Sequence, residues 1–117
     1  MNAQPRPPGK TTIAPGILQA IGELTTLQNE SVSRLALFNR NPGLKFLPHF
    51  RSHGVLVNID NGRVTLDVYV VMKENINVRQ ASKELQNEVS RAVTEMVGME
   101  VNAINIHIED IDYLTES

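Results

Sequence analysis

Apolar and polar residues alternate along residues 55–72, on both sides of the dipeptide Asn61-Gly62. Alternation with a period of two is typical of a β-strand with one buried face. An Asn-Gly pair between two such segments favours a type I′ turn, which requires positive φ at both residues. The pattern predicts a hairpin with Asp60 opposite Arg63. One face is then apolar (Val55, Val57, Ile59, Val64, Leu66, Val68, Val70 and Met72) and the other mostly solvated (Leu56, Asn58, Asp60, Arg63, Thr65, Asp67, Tyr69 and Val71).

Two segments have the periodicity of amphipathic helices. The first opens at Pro15, which tolerates the first helical position because it needs no hydrogen-bond donor there. Its apolar positions are Ile17, Leu18, Ile21, Leu24 and Leu27, with Gln19, Glu23 and Thr26 opposite. The second follows Asn77, which with Gln80 resembles a capping box, and ends at Gly98. Its apolar stripe comprises Val78, Ala81, Leu85, Val89, Ala92, Val93 and Met96.

Residues 31–38 and 104–108 also alternate and are predicted to be strands, which gives the element order α-β-β-β-α-β. This order predicts an α+β fold: a two-layer sandwich with a mostly antiparallel sheet and both helices on one face. Residues 1–10 hold three of the six prolines and are expected to form a flexible N-terminal tail. Residues 11–113 are expected to form a single domain with an inserted loop at 39–53, followed by a C-terminal tail at 114–117.

The composition excludes several classes of protein. The 117 residues contain no cysteine, which rules out a disulfide framework and thiol chemistry. The hydrophobic share of 41% and the charged share of 21% are typical of a globular chain. Neither a signal-peptide core nor a membrane-spanning apolar stretch is present, so a cytoplasmic protein is expected.

Charge is unevenly distributed along the chain, although the net value is only −2. Residues 31–59 contain no acid and four basic residues (Arg34, Arg40, Lys45 and Arg51), whereas the last nine residues contain four acids (Glu109, Asp110, Asp112 and Glu116). Such asymmetry bears on association rather than on fold. We expect the basic segment of one copy to meet the acidic end of another, a heterologous contact that produces rings or filaments.

Candidate catalytic and metal-binding residues are few. His49 and His53 have a spacing of four, but two ligands without a nearby carboxylate are too few for a metal site. His107 lies on the polar face of the last strand without a nucleophile or an orienting acid beside it in sequence. No common catalytic motif occurs, so the chain is expected to be non-enzymatic, without metal, cofactor or small-molecule substrate. An enzyme or metal site around the histidines remains an alternative.

Nucleic-acid binding is a second alternative, because small α+β domains often bind RNA. The chain lacks a G-x-x-G loop, has only Tyr69 as an aromatic residue on the open sheet face, and is net acidic. We therefore expect no nucleic-acid partner.

The loop at 39–53 is the strongest candidate for a partner-binding segment. The three phenylalanines of the chain fall within residues 38–50, and apolar anchors are interleaved with cations there. Such a composition is typical of a binding hot spot or a membrane-surface contact. The candidate partner-binding residues are Arg40, Leu44, Lys45, Phe46, Leu47, Phe50 and Arg51, together with Glu109, Asp110 and Asp112 at the acidic end. Alternatively, Phe46 and Phe50 fold back over the core.

Three runs of sequence resemble a known family: "TTIAPGILQAIGELT", "GVLVNIDNGRVTLDVYVVM" and "INVRQASKELQNEVSRAVTEMVGMEVNAINIHIEDI". They resemble the alkaline shock protein family of envelope stress response proteins (the Asp/Gls type), found chiefly in Gram-positive bacteria. The resemblance covers residues 11–38 and 54–112 and consists mainly of packing positions. It implies a cytoplasmic, non-catalytic protein of envelope homeostasis and alkaline or general stress. It also implies homo-oligomers and a membrane-anchored partner that holds the protein at the inner face of the membrane.

Overall fold

The computed structural model describes residues 9–39 and 51–113. This part of the chain forms two helices, α1 (Pro15–Gln28) and α2 (Val78–Val97). Its strands are β1 (Val32–Leu35), β2 (Leu37–Asn39), β3 (Arg51–His53), β4 (Val55–Asp60), β5 (Arg63–Lys73) and β6 (Glu100–Asp112).

β5 is the central strand of a four-stranded sheet. Along one edge it pairs antiparallel with β4 over residues 63–68 and then with β1 over residues 70–72. Along its other edge it pairs parallel with β6 over its whole length. β5 and β6 can pair in parallel because α2, which connects them, returns the chain to the end of the sheet at which β5 begins. The α+β sandwich, its mostly antiparallel sheet and its two helices are therefore confirmed.

The hairpin has the predicted register, with Asp60 opposite Arg63 and Val57 opposite Leu66. Asn61 and Gly62 have φ values of 51° and 75°, as the predicted type I′ turn requires. Two positions differ from the prediction. Ile59, predicted to be buried, is 38% exposed, because it lies near the turn end of the edge strand β4, where the residues become exposed. Val71, on the face predicted to be mostly solvated, is buried.

α2 begins and ends where its capping residues predict. The Asn77 side chain accepts a hydrogen bond from the Gln80 backbone N–H at 3.1 Å, and Gly98 has a left-handed φ of 69°. The Gln80 side chain donates to Glu84 at 3.4 Å, so the capping box has only its first half. Four apolar side chains of α2 are buried in the core: Ala81, Leu85, Val89 and Val93.

α1 is rotated about its axis relative to the prediction. Its buried residues are Leu18, Ile21, Gly22 and Thr26, so Thr26 faces the core although it was predicted to lie on the opposite side. A Cβ atom on Gly22 would lie 3.2 Å from Cγ1 of Val55, so the missing side chain lets α1 approach β4 closely. The helix therefore packs through two aliphatic and two small residues, and three other large aliphatic residues are exposed.

The strand predicted over residues 31–38 is interrupted at Ala36. A register shift between Val32 and Arg34 buries Val32 and exposes Arg34, which a regular strand would place on the same face. After Ala36 the chain leaves the main sheet, and β2 pairs antiparallel with β3 in a separate two-stranded ribbon. The predicted loop at 39–53 thus contains strand residues at both ends.

The ribbon branches from the sheet at Tyr69 of β5. The Tyr69 N–H donates to the Gly54 carbonyl at 2.6 Å, and the Tyr69 carbonyl accepts from the Ala36 N–H at 2.8 Å. Tyr69 is therefore the point at which β5 changes partner from β4 to β1. Gly54 has a φ of +63°, and a Cβ atom at this position would lie within 3 Å of the carbonyl oxygens of both Tyr69 and Ala36.

Candidate functional site

An exposed apolar stripe follows the outer side of α1. Ile17, Leu24 and Leu27 are 49%, 62% and 51% exposed. Their spacing of seven and three residues places them on one helix face. Glu23 is the one charged residue within Pro15–Gln28. Large aliphatic side chains gathered on a face with so little charge are typical of a protein–protein contact. We call Ile17, Leu24 and Leu27 the α1 stripe.

The outer face of the sheet, opposite the helices, carries a cluster of polar side chains centred on Asp67. One Asp67 carboxylate oxygen lies 2.9 Å from Nε2 of His107 and accepts a hydrogen bond from the Asn105 amide at 3.1 Å. The His107 ring also stacks on Tyr69, with 4.3 Å between ring centroids and 13° between ring planes. The cluster holds its four side chains in a fixed arrangement across β5 and β6.

Asp67 is the orienting acid that the sequence around His107 lacks. Such a pair can fix the orientation of an imidazole, as in enzymes that use histidine as a base. Both side chains are partly exposed on an open sheet face. Such a face does not exclude water from the reacting groups. Within residues 9–39 and 51–113, no three His, Cys, Asp or Glu side chains are arranged to hold a metal ion.

A second polar cluster joins β1 to the end of β6. The Ser33 hydroxyl donates to an Asp112 carboxylate oxygen at 2.5 Å, and Arg34 Nε lies 3.4 Å from the same oxygen. The hydrogen bond from Ser33 and, to a smaller extent, the positive charge of Arg34 lower the pKa of Asp112. One residue of the basic segment is therefore paired with one residue of the acidic end within the same chain.

Comparisons with known proteins identify the family. The model of the alkaline shock protein 23 family, described as having a cell envelope-related function, matches residues 3–113. The chain belongs to this family. The resemblance inferred from the sequence is thereby confirmed.

Relatives of this alkaline shock protein family member occur in Gram-positive bacteria. The chain is 32% identical over 104 residues to the uncharacterized protein Spy1535 of Streptococcus pyogenes, covering 88% of this chain and 79% of the relative. It is 24% identical over 110 residues to the uncharacterized protein YqhY of Bacillus subtilis, covering 93% and 82%. No solved structure matches the chain.

The family assignment supports a cell envelope-related function for this alkaline shock protein family member. No helix in the described part of the chain is long and apolar enough to cross a membrane.

Several residues predicted to bind partners lie outside the described residues: Arg40, Leu44, Lys45, Phe46, Leu47 and Phe50. Arg51 begins β3, while Glu109, Asp110 and Asp112 lie at the end of β6. Sequence reasoning missed the exposure of the α1 stripe, because it assigned all the apolar residues of α1 to the core. The small residues Gly22 and Thr26, four apart, are the signal that could have revealed which side of α1 packs closely.

The lowered pKa of Asp112 predicts that this residue stabilises the fold at neutral pH and not in strong acid. Because the folded-state pKa lies below the unfolded-state value, the contribution of Asp112 is fully present above the unfolded-state pKa of about 3.9. It is lost as the pH falls through the folded-state pKa. We expect Asp112→Asn to lower the unfolding temperature at pH 7, and the difference from wild type to disappear in strong acid. Thermal unfolding followed by circular dichroism between about pH 7 and pH 2 measures this.

Glu109→Gln is the matched control, since it removes one nearby acid that has no ion pair among the described residues. An equal loss of stability in both variants at pH 7 would show that general charge, rather than the Ser33–Asp112 contact, is responsible.

Proposed function

We propose that this protein is a non-catalytic interaction module of the cell envelope and that its copies associate through the α1 stripe. The observation that carries the proposal is the exposure of Ile17, Leu24 and Leu27 on one face of an almost uncharged helix. Two such faces can pack together without opposing like charges over most of their length. Burying half-exposed leucine side chains stabilises a contact by about 1 kcal/mol each.

Helix-to-helix packing also suits the position of α1 on the sandwich. α1 packs on β1 and β4 and is tied to α2 by a hydrogen bond from the Asn29 amide to Glu88 at 2.6 Å. The stripe is therefore presented on a helix whose other sides are fixed, so association requires little ordering of the backbone.

The uneven charge supports a second contact between copies. Arg40, Lys45 and Arg51 of one copy would meet Glu109 and Asp110 of the next, while Arg34 and Asp112 are paired within each chain. Because the two patches differ, this contact would extend the assembly rather than close it as a dimer. Exposed ion pairs weaken in salt, whereas apolar contacts do not.

Light scattering of the full chain in a salt series separates the two contacts. We expect wild type to associate, and Leu24→Gln/Leu27→Gln to weaken association by at least about tenfold at every salt concentration. The control is Met96→Gln on α2, because Met96 is 69% exposed and is another large apolar side chain. This control is expected to associate like wild type.

Two outcomes would contradict the role of α1. The first is a wild-type protein that stays monomeric at every salt concentration. The second is a double variant that associates as strongly as wild type, with association lost in about 1 M NaCl, where the Debye length is about 3 Å. The second result would leave the charged contact as the basis of assembly.

We further propose that residues 40–50 contact a membrane-anchored protein. The support is the composition of this segment, in which Leu44, Phe46, Leu47 and Phe50 lie among the basic residues Arg40, Lys45 and Arg51. β2 and β3 bring the two ends of this segment together in the ribbon. We expect Phe46→Ala/Phe50→Ala protein to capture less of a membrane-anchored partner from solubilised membranes than wild type or Met96→Gln does, and unchanged capture would contradict the proposal.

A further inference from the structure

β6 is an edge strand, and its outer edge is open within the described part of the chain. It pairs with β5 along one side, and no described strand pairs with its other side. Exposed edges are templates for further strand pairing, and natural proteins often block them with lysine, proline or bulges. β6 contains no lysine, arginine or proline. Its register is irregular between residues 101 and 103 and between 108 and 110, so residues 103–108 form the regular part of the edge.

A groove lies beside this edge, between β6 and α2. It has a volume of about 410 Å³ and is lined by residues 101–105 of β6 and by Gln86, Asn87 and Ser90 of α2. A free strand edge next to a helix is the arrangement in which an extended peptide binds as an additional strand. The three polar side chains of α2 provide hydrogen-bonding groups along the opposite wall of the groove.

One hydrogen bond shows which backbone groups face the groove. The Gln86 side chain donates to the Ile104 carbonyl oxygen at 3.0 Å, so this carbonyl points away from β5 and towards α2. The N–H and C=O groups of one strand residue point to the same side, and this side alternates from residue to residue. The backbone groups of Ile104, Ile106 and Ile108 therefore face the outer edge, where the Ile104 carbonyl already accepts the hydrogen bond from Gln86. Those of residues 103, 105 and 107 face β5.

The distribution of charged side chains along β6 indicates that a peptide bound at this edge would be basic. Residues 101–108 carry no acidic or permanently charged side chain, whereas Glu109 and Asp110 follow directly. Both acids are exposed, and neither has an ion pair with a described residue. A strand of about six residues spans about 20 Å, so a peptide paired with residues 103–108 reaches both acids. A second β6 strand is a poor occupant, because its own acids would add negative charge.

We propose that the groove between α2 and β6 binds an extended basic peptide of another protein, which adds to the sheet as a strand antiparallel to β6. Antiparallel pairing is the more stable arrangement and places the N-terminal residues of the peptide beside Glu109 and Asp110. This contact does not use the α1 stripe, because the groove is lined by β6 and by the side of α2 next to β6, although α1 also packs on α2. It does use Glu109 and Asp110, so it would compete with the charged contact between copies proposed above.

The test uses the full chain and a synthetic peptide, Arg-Arg-Val-Thr-Val-Thr-Val-Thr. Backbone amide exchange measured by NMR is expected to show slow exchange at residues 103, 105 and 107 without peptide, and fast exchange at Ile104, Ile106 and Ile108. Saturating peptide is expected to slow the exchange of these three amides by at least about tenfold. Two control peptides are expected to bind more weakly: one with both arginines at the C-terminus, and one with proline in place of the central valine.

Charge reversal tests the acidic end of the groove. Glu109→Lys/Asp110→Lys is expected to weaken peptide binding by about five- to tenfold at low salt. The control Glu23→Lys/Glu84→Lys changes the net charge of the protein by the same amount at positions away from the groove. Glu23 lies on α1, and Glu84 lies on the opposite side of α2, near Ser31 and Ile76. It is expected to leave binding nearly unchanged.

Three results would overturn the proposal. Absence of binding is the first, and protection that appears elsewhere on the sheet is the second. The third is protection of Ile104, Ile106 and Ile108 that rises with protein concentration without peptide, because a second copy would then occupy the edge.

Discussion

Replacement of Gly54 by alanine is expected to lower the free energy of unfolding by about 2–5 kcal/mol. The φ of +63° costs an L-residue about 1–2 kcal/mol. The new Cβ atom would also lie 2.8 Å from the Tyr69 carbonyl oxygen and 2.9 Å from that of Ala36. Both are backbone atoms that hold the branch point of the sheet, so relief requires a shift of the strands, which costs a further ~1–3 kcal/mol.

Two other glycines separate these contributions. Gly62 and Gly98 also have positive φ, at 75° and 69°, but a Cβ atom on either would meet no atom within 4 Å. Gly62→Ala and Gly98→Ala are therefore expected to cost only the backbone part, about 1–2 kcal/mol each. Urea unfolding followed by circular dichroism gives the three values. Equal losses at all three positions would mean that the junction at Tyr69 is not crowded.

The parts of the fold that could be predicted from sequence are those determined by near neighbours. The type I′ turn depends on Asn61 and Gly62 alone, and it sets the register of the whole hairpin. The N-terminal cap of α2 depends on Asn77 and Gln80, three residues apart, and its end depends on Gly98. In each case the physical cause and its sequence signal lie within a few residues.

The parts that could not be predicted depend on distant contacts. The rotation of α1 is decided by the approach of Gly22 to Val55, which periodicity within the helix does not report. The break at Ala36 arises because β5 exchanges one partner strand for another at Tyr69. Likewise Asp67 orients His107 from 40 residues away, so no local motif contains the pair.

The same distinction applies to the candidate surfaces. Apolar residues on α1 are evident in the sequence, but only their exposure separates a docking stripe from a core stripe. The open edge of β6 is likewise a property of the sheet order, since a strand of the same sequence in a central position would have no free backbone groups. Both surfaces lie on regular elements, whereas the sequence directed attention to the loop at 39–53.

Truncation of Leu66 provides the second large effect and tests the orientation of α1 directly. Leu66 is fully buried at the centre of β5, and its Cδ1 would lie 3.6 Å from a Cβ atom on Gly22. Leu66→Ala leaves a cavity between the sheet and α1 and is expected to cost about 3–5 kcal/mol of unfolding free energy. Leu24→Ala removes the same atoms from the exposed side of α1 and is expected to change stability by less than about 0.5 kcal/mol. Urea unfolding of both variants measures the contrast. Comparable losses would place Leu24 in the core, and the α1 stripe would then be a packing surface, not a docking surface.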